Sequence, residues 1–190
     1  MAKKITIWIT TNGTIYDQTI LETLGKFFKI QMIFSIDGVG KVNDYLRFPS
    51  EFGTIHHNVK KYMELTNATI MLTCTVQNLN VLYITDIISF AHSLKLYCKL
   101  GILRKPSYLH LSVLPTNVKK KAVQRLERID KKEARNISNF DTLLNLLKTS
   151  LLEDKTEEVE YFKQIISKRD NYRKIHMQNF IPELAQELNI

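Results

Sequence analysis

Two rhythms of apolar residues organise the first 115 positions. Ile5, Ile7 and Ile9 alternate with Thr6, Trp8 and Thr10, which predicts a strand over residues 4–10 whose second face is also made apolar by Trp8. The strand ends in a turn at 11–14. Asp17 then stands where a helix N-cap is expected, and Ile20, Leu21, Leu24, Phe27 and Phe28 share one helical face. An apolar run over 30–36, broken only by Gln31 and Ser35, predicts a strand buried on both faces. A helix capped by Thr54 follows and buries Ile55, Val59, Tyr62 and Met63. The third strand, 68–76, sets Ile70, Leu72, Cys74 and Val76 on one side and Met71, Thr73 and Thr75 on the other. A helix over 81–94 offers Ile84, Ile87, Ile88, Ala91 and Leu94. A loop through Gly101 and Pro106 then leads to a fourth strand at 108–114, stopped by Pro115.

Strands alternating with helices, with no hairpin turn between them, predict an α/β fold with a parallel sheet. The expected architecture is a parallel four-stranded βα half-barrel, a partial TIM-like barrel, over residues 1–116, followed by a helical C-terminal region over 117–190. Its carboxyl edge gathers residues 10–14, 35–37, 76–80 and 114–117, the side on which such sheets bind ligands. Beyond Asn117 strand signals cease. Val118, Ala122, Leu126 and Ile129 mark an amphipathic helix, and further helices are expected over 139–152 and 156–176, with a short one opened by Pro182.

Composition narrows the classes. A chain of 190 residues with 44% hydrophobic and 24% charged residues has enough chain for one core. The most apolar window, 81–103, carries Asp86, His92, Lys95 and Lys99, so no membrane span is expected. Residues 1–4 lead straight into a strand without a signal-peptide core, and Cys74 and Cys98 lack metal-ligand spacing, which fits a reducing cytoplasm. The net charge of +8 favours contact with nucleic acid or acidic surfaces. It is concentrated at 116–136, where eight Lys and Arg face Glu127, Asp130 and Glu133, a local +5. Such a run is either a solvated helix face or a contact for RNA or an acidic partner.

The stretch 34–47, FSIDGVGKVNDYLR, carries the densest candidate chemistry. Ser35 and Asp37 lie two residues apart at a strand's end, hence on one side of it, and precede a turn at Gly38 and Gly40. A hydroxyl, a carboxylate, a flexible turn and Arg47 suit a polar ligand with sugar and charged groups. An ordinary strand-turn with an Asx cap explains the same spacing.

Taken with TNGT at 11–14 and TVQNLN at 75–80, the SIDG…R stretch resembles the radical S-adenosylmethionine (AdoMet) enzymes. The likeness is to the twitch-type branch related to SPASM proteins, peptide-modifying enzymes and anaerobic sulfatase-maturing enzymes. It covers residues 5–114 in order, and KRDNYR…IPEL at 168–184 is similar to the end of twitch-type sequences. The resemblance implies that Ser35 and Asp37 meet the ribose hydroxyls of the cofactor and that Arg47 lies near its carboxylate. By the same resemblance Asn12 lines the active site, and Asn80 stands near the adenine-side wall. Asn12 and Asn80 are also common turn residues, and Arg47 also reads as a surface residue.

The family's CxxxCxxC triplet, which ligates a [4Fe–4S] cluster, has no counterpart here: Cys74 and Cys98 are 24 positions apart. Nor do the family's first two strands. The resemblance therefore implies the C-terminal half of a twitch-type enzyme, split or degenerate and not active alone. It would bind AdoMet together with a cluster-bearing N-terminal partner chain, for radical modification of a peptide or other substrate. The first strand, an edge in this arrangement, is covered by such a partner, by a homodimer, or by a C-terminal helix folding back. The competing function is a non-catalytic α/β module that contacts RNA or an acidic partner through residues 117–136.

Overall fold

The computed structural model describes residues 2–153 and 155–190. Five parallel strands form one sheet in the order β1 (Thr6–Thr11), β2 (Lys29–Ser35), β3 (Ala68–Val76), β4 (Tyr97–Ile102) and β5 (Ile137–Ser138). The first four are linked through α1 (Gln18–Leu24), the pair α2 (Lys41–Leu46) and α3 (Phe52–Tyr62), and α4 (Ile84–Ser93). The C-terminal region adds α5 (Thr116–Glu127), α6 (Lys131–Ala134), α7 (Phe140–Ser150), α8 (Thr156–Arg173) and α9 (Pro182–Leu188). This is an α/β fold consistent with a partial βα barrel. No described helix is long and apolar enough to cross a membrane.

Local chemistry sets several boundaries as expected. The Asp17 carboxylate accepts the Thr19 and Ile20 amides at 2.7 and 3.1 Å and starts α1. The third strand runs over the expected residues. The start of α3 differs: it begins at Phe52, whose amide donates to the Asp44 carboxylate at 2.6 Å, so the cap comes from α2 and not from Thr54. Ile55, Val59 and Tyr62 are buried as expected, whereas Met63 is exposed.

The sheet has five strands, not four, and its fourth lies earlier than expected. Lys95, at φ 55°, reverses the chain after α4, and β4 then follows immediately. Only Cys98 and Leu100 of that strand are buried, while Tyr97 and Lys99 face outward, so the apolar signal is thin. Residues 108–114 form two 3-10 turns instead, Ser107–Leu109 and Leu111–Val113, the second held by the His110 ring accepting the Ser112 amide at 3.2 Å. Their Leu111, Val113 and Leu114 still enter the core, which is why the segment reads as a strand. The fifth strand is only two residues long, anchored by the Cys98 amide donating to the Asn136 carbonyl at 2.9 Å and Asn139 Nδ2 to the Leu100 carbonyl at 2.8 Å.

The two faces of the sheet are unlike. Ile30, Met32 and Phe34, Ile70, Leu72, Cys74 and Val76, and Cys98 and Leu100 point to one side and form a single core with the helices. Trp8, Thr10, Ile33, Ser35, Met71, Thr73, Tyr97 and Lys99 point to the other, which no described helix seals. Trp8 is 65% exposed, so the second apolar face of β1 is not buried within this chain.

Burial pushes the Cys98 thiol up from 9.0 to about 12, and burial raises Cys74 as well. In the unfolded chain these thiols ionise first, so the folded form holds more protons between pH 9 and about 12 and stability falls as pH rises through that window. We expect iodoacetamide at about pH 8 to leave both thiols of the native protein unmodified and to label both after denaturation. Mass spectrometry of the alkylated protein checks this, and rapid native labelling would contradict the burial.

Candidate functional site at the carboxyl edge of the sheet

Where β2 ends, the Ile36 amide still donates to the Thr73 carbonyl at 2.9 Å, and the chain then turns away at Asp37. The Asp37 carboxylate is buried. Its Oδ1 accepts the Thr75 amide at 2.7 Å, and its Oδ2 pairs with the Arg47 guanidinium at 2.9 Å. Its own amide donates to Asn43 Oδ1 at 3.1 Å. Burial pushes the carboxyl above its ordinary value, while Arg47 and the Thr75 amide pull against that shift. Gly38 is required next: a Cβ there would meet Val42 Cγ1 at 2.5 Å and the Asn43 amide nitrogen at 2.7 Å.

Asn80 brackets the same junction. Asn80 is itself fully buried; its Nδ2 donates to the carbonyls of Asp37 (2.8 Å) and Thr75 (2.9 Å), and its Oδ1 accepts the Gln77 amide at 2.8 Å. At the end of β1, Asn12 is exposed and closes a local turn, accepting the Thr14 amide at 3.2 Å and the Thr14 hydroxyl at 2.9 Å. Gly13, at φ 73°, passes so close to Phe34 that a Cβ would lie 2.9 Å from Cδ1, and its carbonyl accepts Asn58 Nδ2 at 2.8 Å. Ser35 lies half-buried on the open face in register with Thr73, and its hydroxyl makes no hydrogen bond among the described residues.

The fold therefore brings Ser35, Asp37, Arg47 and Asn80 together across the ends of β2 and β3, with Asn12 one strand away. Asp37, Arg47 and Asn80 use much of their bonding capacity on one another and on backbone. Two buried donors in this group, Asn43 Nδ2 and Arg47 Nε, have no acceptor among the described residues. Asn43 and Thr75 are partners of Asp37 that the sequence did not mark.

A second set of contacts holds the site from behind. The Tyr45 hydroxyl, on α2, donates to the Asp170 carboxylate of α8, with oxygens at 2.9 and 3.1 Å, and Asp170 also accepts the Met177 amide at 2.7 Å. Arg169 lies over the Tyr45 ring at 4.4 Å, and Arg173 donates to the Tyr45 carbonyl at 3.2 Å. The C-terminal region thus clamps the helix that carries Asn43 and is closed by Arg47.

The basic segment is only partly a surface. Lys119 is buried, with Nζ donating to the Ser150 carbonyl at 2.6 Å and the Glu153 carbonyl at 3.1 Å. Lys121 pairs with Glu187, and Arg125 pairs with Glu183 at 2.7 Å while donating to the Leu82 carbonyl at 2.8 Å. Lys120, Arg128, Lys131, Lys132 and Arg135 remain exposed.

An open parallel sheet with its polar groups collected at the carboxyl edge is the architecture of a partial βα barrel, and solved structures share that fold. The particular likeness is to an anaerobic sulfatase-maturating enzyme, anSMEcpe, solved with bound AdoMet: TM-score 0.54 at 15% identity. The same enzyme with AdoMet and the Cp18Cys peptide gives 0.52 at 15% identity, and with AdoMet and the Kp18Cys peptide 0.51 at 14%. Each match covers 74% of this chain and 42% of the other, so this chain spans less than half the length of that enzyme. At such identity the likeness is one of fold. No protein-family model matches the chain, and no curated protein matches it.

Tyr45→Phe removes a buried hydrogen bond to a charged acceptor and is expected to cost about 1.5–3 kcal/mol of stability. Urea unfolding followed by circular dichroism measures it; a loss below about 0.5 kcal/mol would mean that the clamp does not hold α2.

Proposed function

We propose that this chain is the AdoMet-binding C-terminal half of a radical AdoMet enzyme, split or truncated, which modifies a peptide or other substrate together with a second polypeptide. The observation that carries the reading is the pair of orphaned buried donors, Asn43 Nδ2 and Arg47 Nε, beside Asp37 at the carboxyl edge of a fold shared with AdoMet-bound structures. These donors suit a carboxylate. Ser35, with a free hydroxyl, and the remaining lone pairs of Asp37 suit ribose hydroxyls. Asn12 would line the neighbouring strand end. Asn80 would act indirectly, by holding Asp37 and Thr75 in place on the adenine side. The residues named here would bind and orient AdoMet, which would supply a 5′-deoxyadenosyl radical when reduced by one electron from the partner's cluster.

An iron–sulfur cluster does not fit this chain's own residues. Cys74 and Cys98 are buried on the covered face with raised pKa, and no group of three His, Cys, Asp or Glu among the described residues is placed to hold a metal. The reading therefore assigns the cluster to the partner, together with strands that pair along the open edge of β1.

Calorimetric titration with AdoMet tests the binding half. Ser35→Ala, a half-buried site that no other side chain depends on, is expected to weaken binding by about 0.5–1.5 kcal/mol. Asp37→Ala is expected to abolish it. Co-expression with a CxxxCxxC-bearing chain should protect Trp8 from solvent and yield 5′-deoxyadenosine under reducing, anaerobic conditions. Absence of AdoMet binding both with and without such a chain overturns the reading.

The exposed cations Lys120, Arg128, Lys131, Lys132 and Arg135 favour a second reading, a non-catalytic module that binds RNA or an acidic partner. It predicts RNA affinity that falls steeply with salt and is lost when Lys131, Lys132 and Arg135 become Ser. Filter binding measures this, and affinity retained in that variant removes the basic segment from the account.

A further inference from the structure

The open face of the sheet carries a further chemistry beside the carboxyl-edge cluster, which it meets at the Ser35 row. In register across the strands, Thr10, Ile33, Met71 and Tyr97 form one row. Two residues further along each strand, Ser35, Thr73 and Lys99 form the next. Between these rows lies a hollow of about 240 Å³ lined by Thr10, Ile33, Met71, Thr73, Tyr97 and Lys99. Its lining offers a branched aliphatic chain, a thioether, an aromatic ring and the side chain of Lys99. Its volume is below the range of drug-sized pockets and suits a group the size of a side chain.

Charge singles out the occupant. Lys29 and Lys99 are the only charged side chains that the strands present on this face, and none of those residues is acidic. Asp37, just past the end of β2, is already paired with Arg47. Lys99 makes no ion pair among the described residues. A cation at the rim of an apolar hollow, without a compensating carboxylate, attracts an anion more strongly than it would in bulk water.

We infer that this hollow binds an apolar group of side-chain size that bears a carboxylate, with Lys99 taking the charge and Ile33, Met71 and Tyr97 taking the apolar body. The inference rests on the proposed function in one respect: it makes such a group the recognised part of the substrate on the inner face of the half-barrel. Lys99 is then a specificity-determining residue, not a member of the carboxyl-edge cluster.

The test uses 3-phenylpropanoate and 3-phenylpropanamide, which share a shape and differ in charge. Each is titrated into the intact chain at low ionic strength, with Trp8 fluorescence as the readout, since Trp8 shares the open face two residues from Thr10. The carboxylate is expected to bind about ten-fold tighter than the amide. Lys99→Gln is expected to erase that difference, and Met71→Asp to abolish carboxylate binding. Lys168→Gln, a change of equal charge elsewhere on the surface, is expected to leave it intact. Failure of 3-phenylpropanoate to bind, equal binding of the two probes, or a carboxylate preference that survives in Lys99→Gln would overturn the inference. Neither AdoMet nor a partner chain is present, so failure here leaves the AdoMet titration independent, and failure of that titration leaves this one standing.

Discussion

The ion pair between Asp37 and Arg47 is the constraint on which the carboxyl edge depends. A carboxylate taken out of water at a strand end costs several kcal/mol unless it is paired and hydrogen-bonded. Here the payment comes from two directions: the Thr75 amide from β3 and the guanidinium at the end of α2. Burial still outweighs both, since the Asp37 carboxyl sits above its ordinary value. The pair therefore specifies geometry more than it adds stability. It joins β2, β3 and α2 at one point, and Gly38 allows the approach because any side chain there would collide with Val42 and Asn43. Tyr45 extends the same constraint to Asp170, 125 residues away in sequence, so the site's shape also depends on the C-terminal helices.

Much of this was legible, and the exceptions share physical causes. The strands at 6–11, 29–35 and 68–76 announced themselves through dense β-branched and aromatic content, buried on one face in the second and third and half-buried in the first. The strand at 97–102 did not, because only Cys98 and Leu100 face the core while Tyr97, Lys99 and Gly101 serve the open face. A strand on a half-open sheet carries half the hydrophobic signal. Segment 108–114 carried the apolar signal without the geometry, since 3-10 turns bury Leu111, Val113 and Leu114 equally well.

The site was legible as a neighbourhood but not as a set of bonds. Asp37 is bonded to both Arg47 and Asn80, while Ser35 lies beside them on the open face without a bond to any of them. That Asp37 would be bonded by Thr75 and Asn43 depends on the relative heights of β2, β3 and α2, which sequence does not state. In the basic helix a usable signal was overlooked. Lys119 falls with Ala122, Val123 and Leu126 at spacings of three, four and seven, the buried stripe of α5. A long aliphatic stem with a terminal ammonium can fill such a position when carbonyls await it, and Ser150 and Glu153 supply them.

The unlike faces of the sheet bear on what could cover the open one. Parallel sheets are usually covered on both sides, because their strands lack a solvent-compatible face. This one leaves Trp8, Ile33, Met71 and Tyr97 on an unsealed side and keeps β1 at an edge. Pairing of a second copy through β1 would satisfy the edge but leave that face open. Strands from a different chain, continuing the curvature of a half-barrel, would satisfy the edge and enclose the face together. They would place the Ser35, Thr73 and Lys99 row inside the enclosed volume. The thiols of Cys74 and Cys98 would stay on the far side of the sheet, packed in the core and protonated. Cluster ligation and substrate recognition would then belong to different chains, with the boundary between them running along β1.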